Sequence, residues 1–341
     1  MRILSKKWLK AIGAATLSLS LLAGCGAAQN GKEEATAPTS DGGGEAAETF
    51  TVGVTQIVEH PSLDAAFEGF QNALKENGLD VEYNVQIAQG DMNNSQTIAT
   101  NFVGDNVDLI FANSTPSAQS ALNATDEIPI VFTSVTDPVG ASLVEAMDTP
   151  GVNITGTTDT HPDAIPNTVK FIDENFDAKK IGMVFNAGEQ NSVAQVDIVK
   201  KAVEGTDLEV VERPVSTSAE VKQATESLVG VADVIYIITD NTVVSALESV
   251  ILVASDEDIP LFVGELDSVE RGGFAAYGFN YYDIGHEAGE MAAQILKGEK
   301  TTSELPVQYP QNLKLLINKQ AANDMGIELK PEWESMAEFT E

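Results

Sequence analysis

The stretch that decides the fold is residues 107–138, VDLIFANSTPSAQSALNATDEIPIVFTSVTDP. The apolar run at 107–111 predicts a buried strand, and the run at 128–132 predicts the next one. Between them, Pro116 suits the first turn of a helix because it lacks an N–H. Strand, polar turn and helix in this order predict a parallel sheet that is covered by helices on both faces.

The same unit recurs along the chain in two series, which are separated by a pause near Thr155. We therefore expect an α/β protein with two doubly wound parallel-sheet domains, joined by a first hinge at 153–157. A single barrel of eight such units is the alternative. The other predicted strands are 50–54, 81–87, 181–185, 208–211, 234–238 and 259–263, and the other predicted helices are 62–78, 91–104, 163–174, 192–203, 219–229 and 243–254.

The N-terminus carries an export signal. Basic residues precede an apolar run at 11–22 that is short for a membrane span, and small residues lead to Cys25, the only cysteine of the chain. This pattern resembles the lipobox of bacterial lipoproteins, in which the cysteine thiol is acylated with diacylglycerol and the preceding peptide is then removed. It implies a signal peptide at 1–24 and an extracytoplasmic protein that is lipid-anchored to the bacterial cell membrane. Residues 25–48 lack apolar periodicity and predict a flexible acidic linker.

Composition excludes several kinds of partner and chemistry. The net charge is −33 and only Arg213 and Arg271 follow the signal, which disfavours nucleic acid, polyphosphates and arginine clamps on anionic ligands. A neutral or zwitterionic ligand fits better. The three histidines show no mutual ligand spacing, so we expect no metal and no cofactor. The sequence contains neither a G-x-S-x-G nucleophile elbow nor a phosphate-binding loop, so we do not expect the protein to be an enzyme.

Polar clusters follow the predicted strands, at the edge where ligands bind in open α/β sheets. Such residues are also ordinary helix caps, but three clusters in each series favour a shared cleft between the domains. Ser114 and Thr115 are expected to bind a ligand carboxylate, and Asp240 with Glu189 an ammonium. A zwitterion would then bridge the domains and favour their closure. Aromatic residues near strand ends that could stack on the ligand are Phe132, Phe185, Phe279, Tyr281 and Tyr282.

Several segments resemble the tryptophan-binding type of ABC transporter substrate-binding lipoproteins over residues 49–330. They include GVTQIVEHPSLD at 53–64, IPIVFTSVTDPVG at 128–140, GEQNSV at 188–193 and NYYDIG at 280–285. The resemblance implies a type I periplasmic-binding-protein fold with three crossovers. It places the N-terminal domain at 49–155 plus 279–300 and the C-terminal domain at 156–278 plus 301–330.

The resemblance also implies a function. A monomer would capture an aromatic amino acid, such as tryptophan, and deliver it to an ABC permease and its ATPase. The alternatives are a sugar or nucleoside as ligand, or a ligand sensor without transport. The implied ligand-binding residues are Gln56, Ser114, Thr115, Thr136, Asp137, Asn186, Glu189, Asn191, Asp240, Asn241 and Glu265.

Overall fold

The structure, a computed structural model, describes residues 49–341. The predicted signal peptide, the lipidation site Cys25 and the linker lie outside the described residues. Within residues 49–341, no helix combines the length and the apolar character needed to cross a membrane.

The described residues alternate between strands and helices, as the sequence pattern predicts. The strands are β1 (Thr49–Gln56), β2 (Asp80–Ile87), β3 (Leu109–Asn113), β4 (Ile130–Val135), β5 (Ile154–Thr158), β6 (Lys180–Asn186), β7 (Glu209–Val215), β8 (Val234–Ile237), β9 (Leu261–Val263), β10 (Ala275–Gly278), β11 (Lys314–Asn318) and β12 (Ala337–Thr340). The helices are α1 (Pro61–Glu76), α2 (Met92–Asp105), α3 (Thr115–Ala124), α4 (Ala164–Asn175), α5 (Gln190–Ala202), α6 (Val221–Glu226), α7 (Asn241–Val244), α8 (Leu247–Asp256), α9 (Leu266–Glu270), α10 (Tyr281–Leu296) and α11 (Lys319–Asp324).

The first domain is built on a parallel five-stranded sheet in the order β2-β1-β3-β4-β5. Strands β3 and β4 are buried along their whole length, because helices cover both faces. On one face Phe102 of α2 and Ala118 of α3 join the core. On the other face the core includes Phe70 of α1 and Ala288 of α10. Helix α10 thus returns late in the chain to complete the first domain.

Helices α1 and α10 approach each other unusually closely, and glycine makes this possible. A Cβ atom on Gly285 would overlap the carbonyl oxygen of Ala66, and one on Gly69 would overlap that of Tyr282. The contact fixes the relative position of two helices whose first residues both lie at the edge where the strands end.

The second domain is built on a seven-stranded sheet in the order β12-β11-β10-β9-β8-β6-β7. Its neighbouring strands are parallel, except that β11 runs antiparallel to β10. The C-terminal residues belong to this domain, although the sequence interpretation ended it at residue 330. Trp333, three residues beyond that bound, is buried against Phe171, Phe176 and Phe274.

Two doubly wound sheets are confirmed, and the barrel alternative is excluded. The chain crosses between the sheets three times: after β5, after β10 and before β11. The predicted hinge at 153–157 differs from this arrangement, because β5 is a buried strand of the first sheet and the chain crosses only after Thr158. Residues 301–308 contact the first domain rather than the second: Thr302 donates to the Val152 carbonyl, and Gln308 pairs with Thr157.

Candidate functional site

The carboxyl ends of the parallel strands in the two sheets face a common interdomain cleft. At its centre lies a small cavity. Both domains contribute to its wall. The lining residues are His60, Leu63, Ser134, Asp159 and Tyr281 from the first domain, and Asn191, Thr239, Asn241 and Glu265 from the second.

Glu265 is the acidic residue that the second domain contributes to the cavity wall. It lies two residues after the end of β9 and is 3% exposed. Its Oε2 accepts a 2.7 Å hydrogen bond from Ser62 Oγ of the first domain and a 3.0 Å bond from Ser268 Oγ. Burial raises the pKa of Glu265 to about 7, although both hydroxyls favour its ionised form. A ligand cation beside Glu265 would therefore stabilise its ionised form.

Asp159 is the acidic residue that the first domain contributes to the cavity wall. It lies one residue beyond the end of β5. Its oxygens accept hydrogen bonds from Thr136 Oγ1 at 3.0 Å and from the Tyr281 hydroxyl at 2.9 Å. Burial raises the pKa of Asp159 to about 6, and the charge of Glu265 adds to the effect. Two buried acids from different domains thus line one cavity.

Tyr281 is held at the cavity wall by two contacts. Its hydroxyl donates to Asp159, and its ring stacks on Phe279 with centroids 5.6 Å apart. Burial, followed by the charge of Asp159, holds the pKa of Tyr281 above its usual range. The phenol therefore stays protonated and acts as a fixed donor.

His60 and Asn191 add polar atoms to the cavity wall. Burial lowers the pKa of His60 to about 4, and the Arg271 guanidinium adds to the effect, so the imidazole is neutral. Within residues 49–341, His60 Nδ1 and Asn191 Oδ1 are buried and have no hydrogen-bond partner. Such atoms are costly to leave unpaired in a fold and are suited to a polar ligand.

Glu189 organises the second domain beside the cavity. Its carboxylate accepts hydrogen bonds from the side-chain amides of Asn186, Asn191 and Asn241, the last at 2.6 Å. Thr242 Oγ1 donates a further bond at 2.7 Å. These bonds orient the amides of Asn191 and Asn241, both of which line the cavity. Glu189 itself lines a larger, solvent-open pocket at the mouth of the cleft.

Asp240 acts as a helix cap in this structure. Its carboxylate accepts bonds from the backbone N–H groups of Val243 and Asn186 and from Ser192 Oγ. Burial, and next the charge of Glu189, raises the pKa of Asp240. It does not line the central cavity, so the ammonium-binding role that the sequence suggested for Asp240 finds no support in its position.

Four predicted residues of the first domain do not line the cavity: Gln56, Ser114, Thr115 and Asp137. Ser114 caps α3 by accepting from the Ser117 N–H, and Thr115 is buried beside it. Gln56 accepts a 3.0 Å bond from Asn113, which in turn accepts from the cavity residue Ser134. Asp137 accepts from the Gly140 N–H and lines a separate open pocket.

The structure therefore brings Asn191, Asn241 and Glu265 to the cavity. It places Thr136 and Glu189 one contact away, and Asn186 behind Glu189. The residues that sequence reasoning did not include in the site are His60, Leu63, Ser134, Asp159, Thr239 and Tyr281. Of the five aromatic residues considered for stacking, Tyr281 alone lines the cavity. Phe132 and Phe185 belong to the cores of the two sheets.

Comparison with known proteins gives a consistent picture. The family model described as ABC transporter substrate binding protein matches residues 51–338. The chain is 41% identical over 331 residues to a protein of Clostridioides difficile named tyrosine-binding protein, covering 96% of this chain and 94% of that protein.

Two solved structures are informative. An ABC domain from Streptococcus pneumoniae in complex with L-Trp is 30% identical, with a TM-score of 0.81 over 86% of this chain and 99% of that one. A substrate-binding protein with adhesive properties from Clostridium difficile, in its ligand-free, open form, is 41% identical but has a TM-score of only 0.63, over 86% and 99%. The fold is the type I periplasmic-binding-protein fold.

Proposed function

The chain belongs to the ABC transporter substrate-binding protein family, and we propose that it captures a zwitterionic aromatic amino acid in the interdomain cleft. It serves as the substrate-binding protein of an ABC transporter, so its direct partners are a small-molecule ligand and an ABC permease. One relative is named tyrosine-binding protein, and the structure of another contains bound L-Trp. Both support an aromatic amino acid as the ligand of this chain.

The observation that carries the proposal is the pair of buried carboxyls, Asp159 and Glu265, on one cavity. A ligand ammonium between them would offset the burial of both charges. Asn191 Oδ1 supplies a further acceptor. His60, which is neutral, can donate from Nδ1 to the ligand carboxylate in the corresponding tautomer.

The ligand would favour the closed arrangement of the domains, because only that arrangement brings both carboxyls to it. Two cross-domain hydrogen bonds already join the lips of the cleft: Ser62 to Glu265 at 2.7 Å, and Gln195 to Thr136 at 3.2 Å. The higher TM-score against the L-Trp complex than against the open, ligand-free relative agrees with a closed form.

Binding proteins of ABC importers work outside the cytoplasm, and we propose that Cys25 carries a lipid anchor there. We further propose that the chain is a monomer and that it catalyses no reaction, since its buried acids serve to hold a cation. Metabolic labelling with a radioactive fatty acid tests the anchor: label on the wild type but not on C25S would support it, whereas an unlabelled wild type would contradict it.

A thermal-shift screen of the full-length protein tests the ligand class. The panel holds tyrosine, tryptophan, phenylalanine, branched amino acids, sugars and nucleosides. A ligand at 100 times its Kd stabilises the fold by about 2.7 kcal/mol, which raises the midpoint by several degrees. We expect shifts with aromatic amino acids alone. A shift only with sugars or nucleosides would keep the fold and contradict the ammonium site.

A further inference from the structure

A group of potential metal ligands lies away from the cleft, between α1 and α10. It consists of Glu76, the last residue of α1, together with His286 and Glu290 on α10. His286 and Glu290 are four residues apart and therefore lie on the same helix face. One ligand atom of each of the three residues lies within 4.8 Å of the others. We propose that this group, the α1–α10 cluster, binds a divalent transition-metal ion of the Zn²⁺ type.

The donor set selects the class of ion. One imidazole nitrogen and two carboxylates are typical zinc ligands, whereas Ca²⁺ and Mg²⁺ favour oxygen alone. Ligand atoms about 2.1 Å from a tetrahedral zinc are about 3.4 Å from each other. The separation of His286 Nε2 and Glu76 Oε2, 3.0 Å, is already of this size.

The remaining ligand atoms lie within 4.8 Å of one another, so each pair has to approach by at most about 1.4 Å to reach the zinc spacing. The side chain of Glu76 is 64% exposed and that of His286 is 30% exposed, so both can adjust and solvent can reach a fourth coordination position. The sequence expectation of no metal rests on the spacing of the histidines and does not weigh this cluster, because Glu76 lies 210 positions from His286.

Neighbouring side chains hold the potential ligands in position, as the outer coordination shell of a metal site does. Asn77 Nδ2 donates a 2.7 Å bond to Glu290 Oε1, and Asn77 Oδ1 accepts a 2.9 Å bond from Lys297 Nζ. The second bond fixes which way the amide points. The glycine contacts at Gly69 and Gly285 hold the two helix backbones at a fixed separation. The ligands thus project from a rigid pair of helices rather than from loops.

The rival explanation is an ordinary surface ion pair between His286 and Glu76, which would contribute little to stability. The two explanations differ in what zinc does. A bound ion joins α1 to α10 and stabilises the fold, whereas an ion pair gives no stoichiometric uptake and no zinc-dependent stabilisation.

Equilibrium dialysis of the full-length protein against Zn²⁺, with metal counted by mass spectrometry, tests the proposal. We expect one more equivalent of zinc on the wild type than on H286N, and affinity at this site at least about tenfold weaker in both H286N and E290Q. The matched controls H161N and E68Q, which change residues outside the cluster, should bind as the wild type does.

Thermal unfolding gives a second readout, and far-UV circular dichroism checks that each variant folds. Zinc should raise the melting temperature of the wild type and of both controls, but not that of H286N. Equal zinc uptake by wild type, H286N and E290Q would overturn the proposal, as would the absence of stoichiometric binding at micromolar zinc.

Discussion

The hydroxyl of Ser62, in the first turn of α1, donates a 2.7 Å hydrogen bond to the carboxylate of Glu265 in the other domain. The two residues are 203 positions apart and both are buried. This bond places a second-domain carboxyl against the N-terminal end of a first-domain helix. It links the two sides of the cavity at the point where a ligand ammonium would bind.

Replacing Glu265 with glutamine should weaken the binding of L-tyrosine or L-tryptophan. The substitution keeps the size of the side chain but removes the charge that would face the ammonium. Removing one partner of a buried charge pair costs about 2–5 kcal/mol, so we expect a loss of at least about 30-fold. Isothermal titration calorimetry measures it. The exposed carboxyl Glu270 of α9 provides the control, and E270Q should bind normally; equal affinities of E265Q and E270Q would refute the role of Glu265.

The pH dependence of stability should report the buried acid directly. The pKa of Glu265 is about 7 in the fold, above its ordinary value of 4.5. The folded state therefore holds the proton longer than the unfolded state, and the stabilisation from the protonated acid is complete below about pH 4 and is lost as pH rises through 7.

Urea unfolding of wild type and E265Q at several pH values isolates this effect. Since glutamine cannot ionise, E265Q should gain stability relative to the wild type between pH 4.5 and pH 8, by on the order of 3 kcal/mol. If the difference in the free energy of unfolding between E265Q and the wild type did not change with pH, the pKa of Glu265 would not be raised in the fold.

A methyl group at Gly285 should destabilise the first domain. The added Cβ would overlap the backbone of Ala66 and push α10 away from α1. Overpacking of this kind costs about 1–3 kcal/mol or more. Gly104 of α2 has open space around the same position, so G104A should be neutral or slightly stabilising. Urea unfolding compares them, and similar stabilities of G285A and G104A would argue against the close helix contact.

Trp333 should prove to be a core residue despite its place near the C-terminus. Its indole is buried among Phe171, Phe176 and Phe274, and its N–H donates to Asn175 Oδ1 at 2.8 Å. Truncation of a buried aromatic residue to alanine costs about 3–5 kcal/mol. The neighbouring Met336 is 49% exposed, and M336A should change the free energy of unfolding little. If W333A were as stable as M336A, Trp333 would not be a core residue.

The alternation of strands and helices could be predicted from sequence because apolar runs such as that of β3 are local signals. Strand β5 could not be recognised in the same way. Its sequence, ITGTT, is largely polar, and it is buried through hydrogen bonds of its threonines: Thr157 with Thr133, and Thr155 with the Leu305 carbonyl. These partners are distant in sequence. The sequence pattern therefore predicts a hinge at this segment and gives no signal that Asp159, at its end, belongs to the site.

The site was predictable only in part for a similar reason. The position of Glu265 after β9 identifies it from local order alone. The roles of Asp240 and Glu189 depend instead on which donors reach them, and the structure shows that donors of their own domain occupy both carboxylates. Tyr281 reaches the cavity only because α10 returns to the first domain, which no local pattern shows.

The most direct test of the account is calorimetric titration of the full-length wild type with L-tyrosine, L-tryptophan and their analogues that lack the amino group. If the ammonium binds between Asp159 and Glu265, at least one of the two amino acids should bind, and its deaminated analogue should bind at least about 30-fold more weakly. E265Q should lose most of that preference. Equal affinity of the wild type for an amino acid and its deaminated analogue would contradict the central claim.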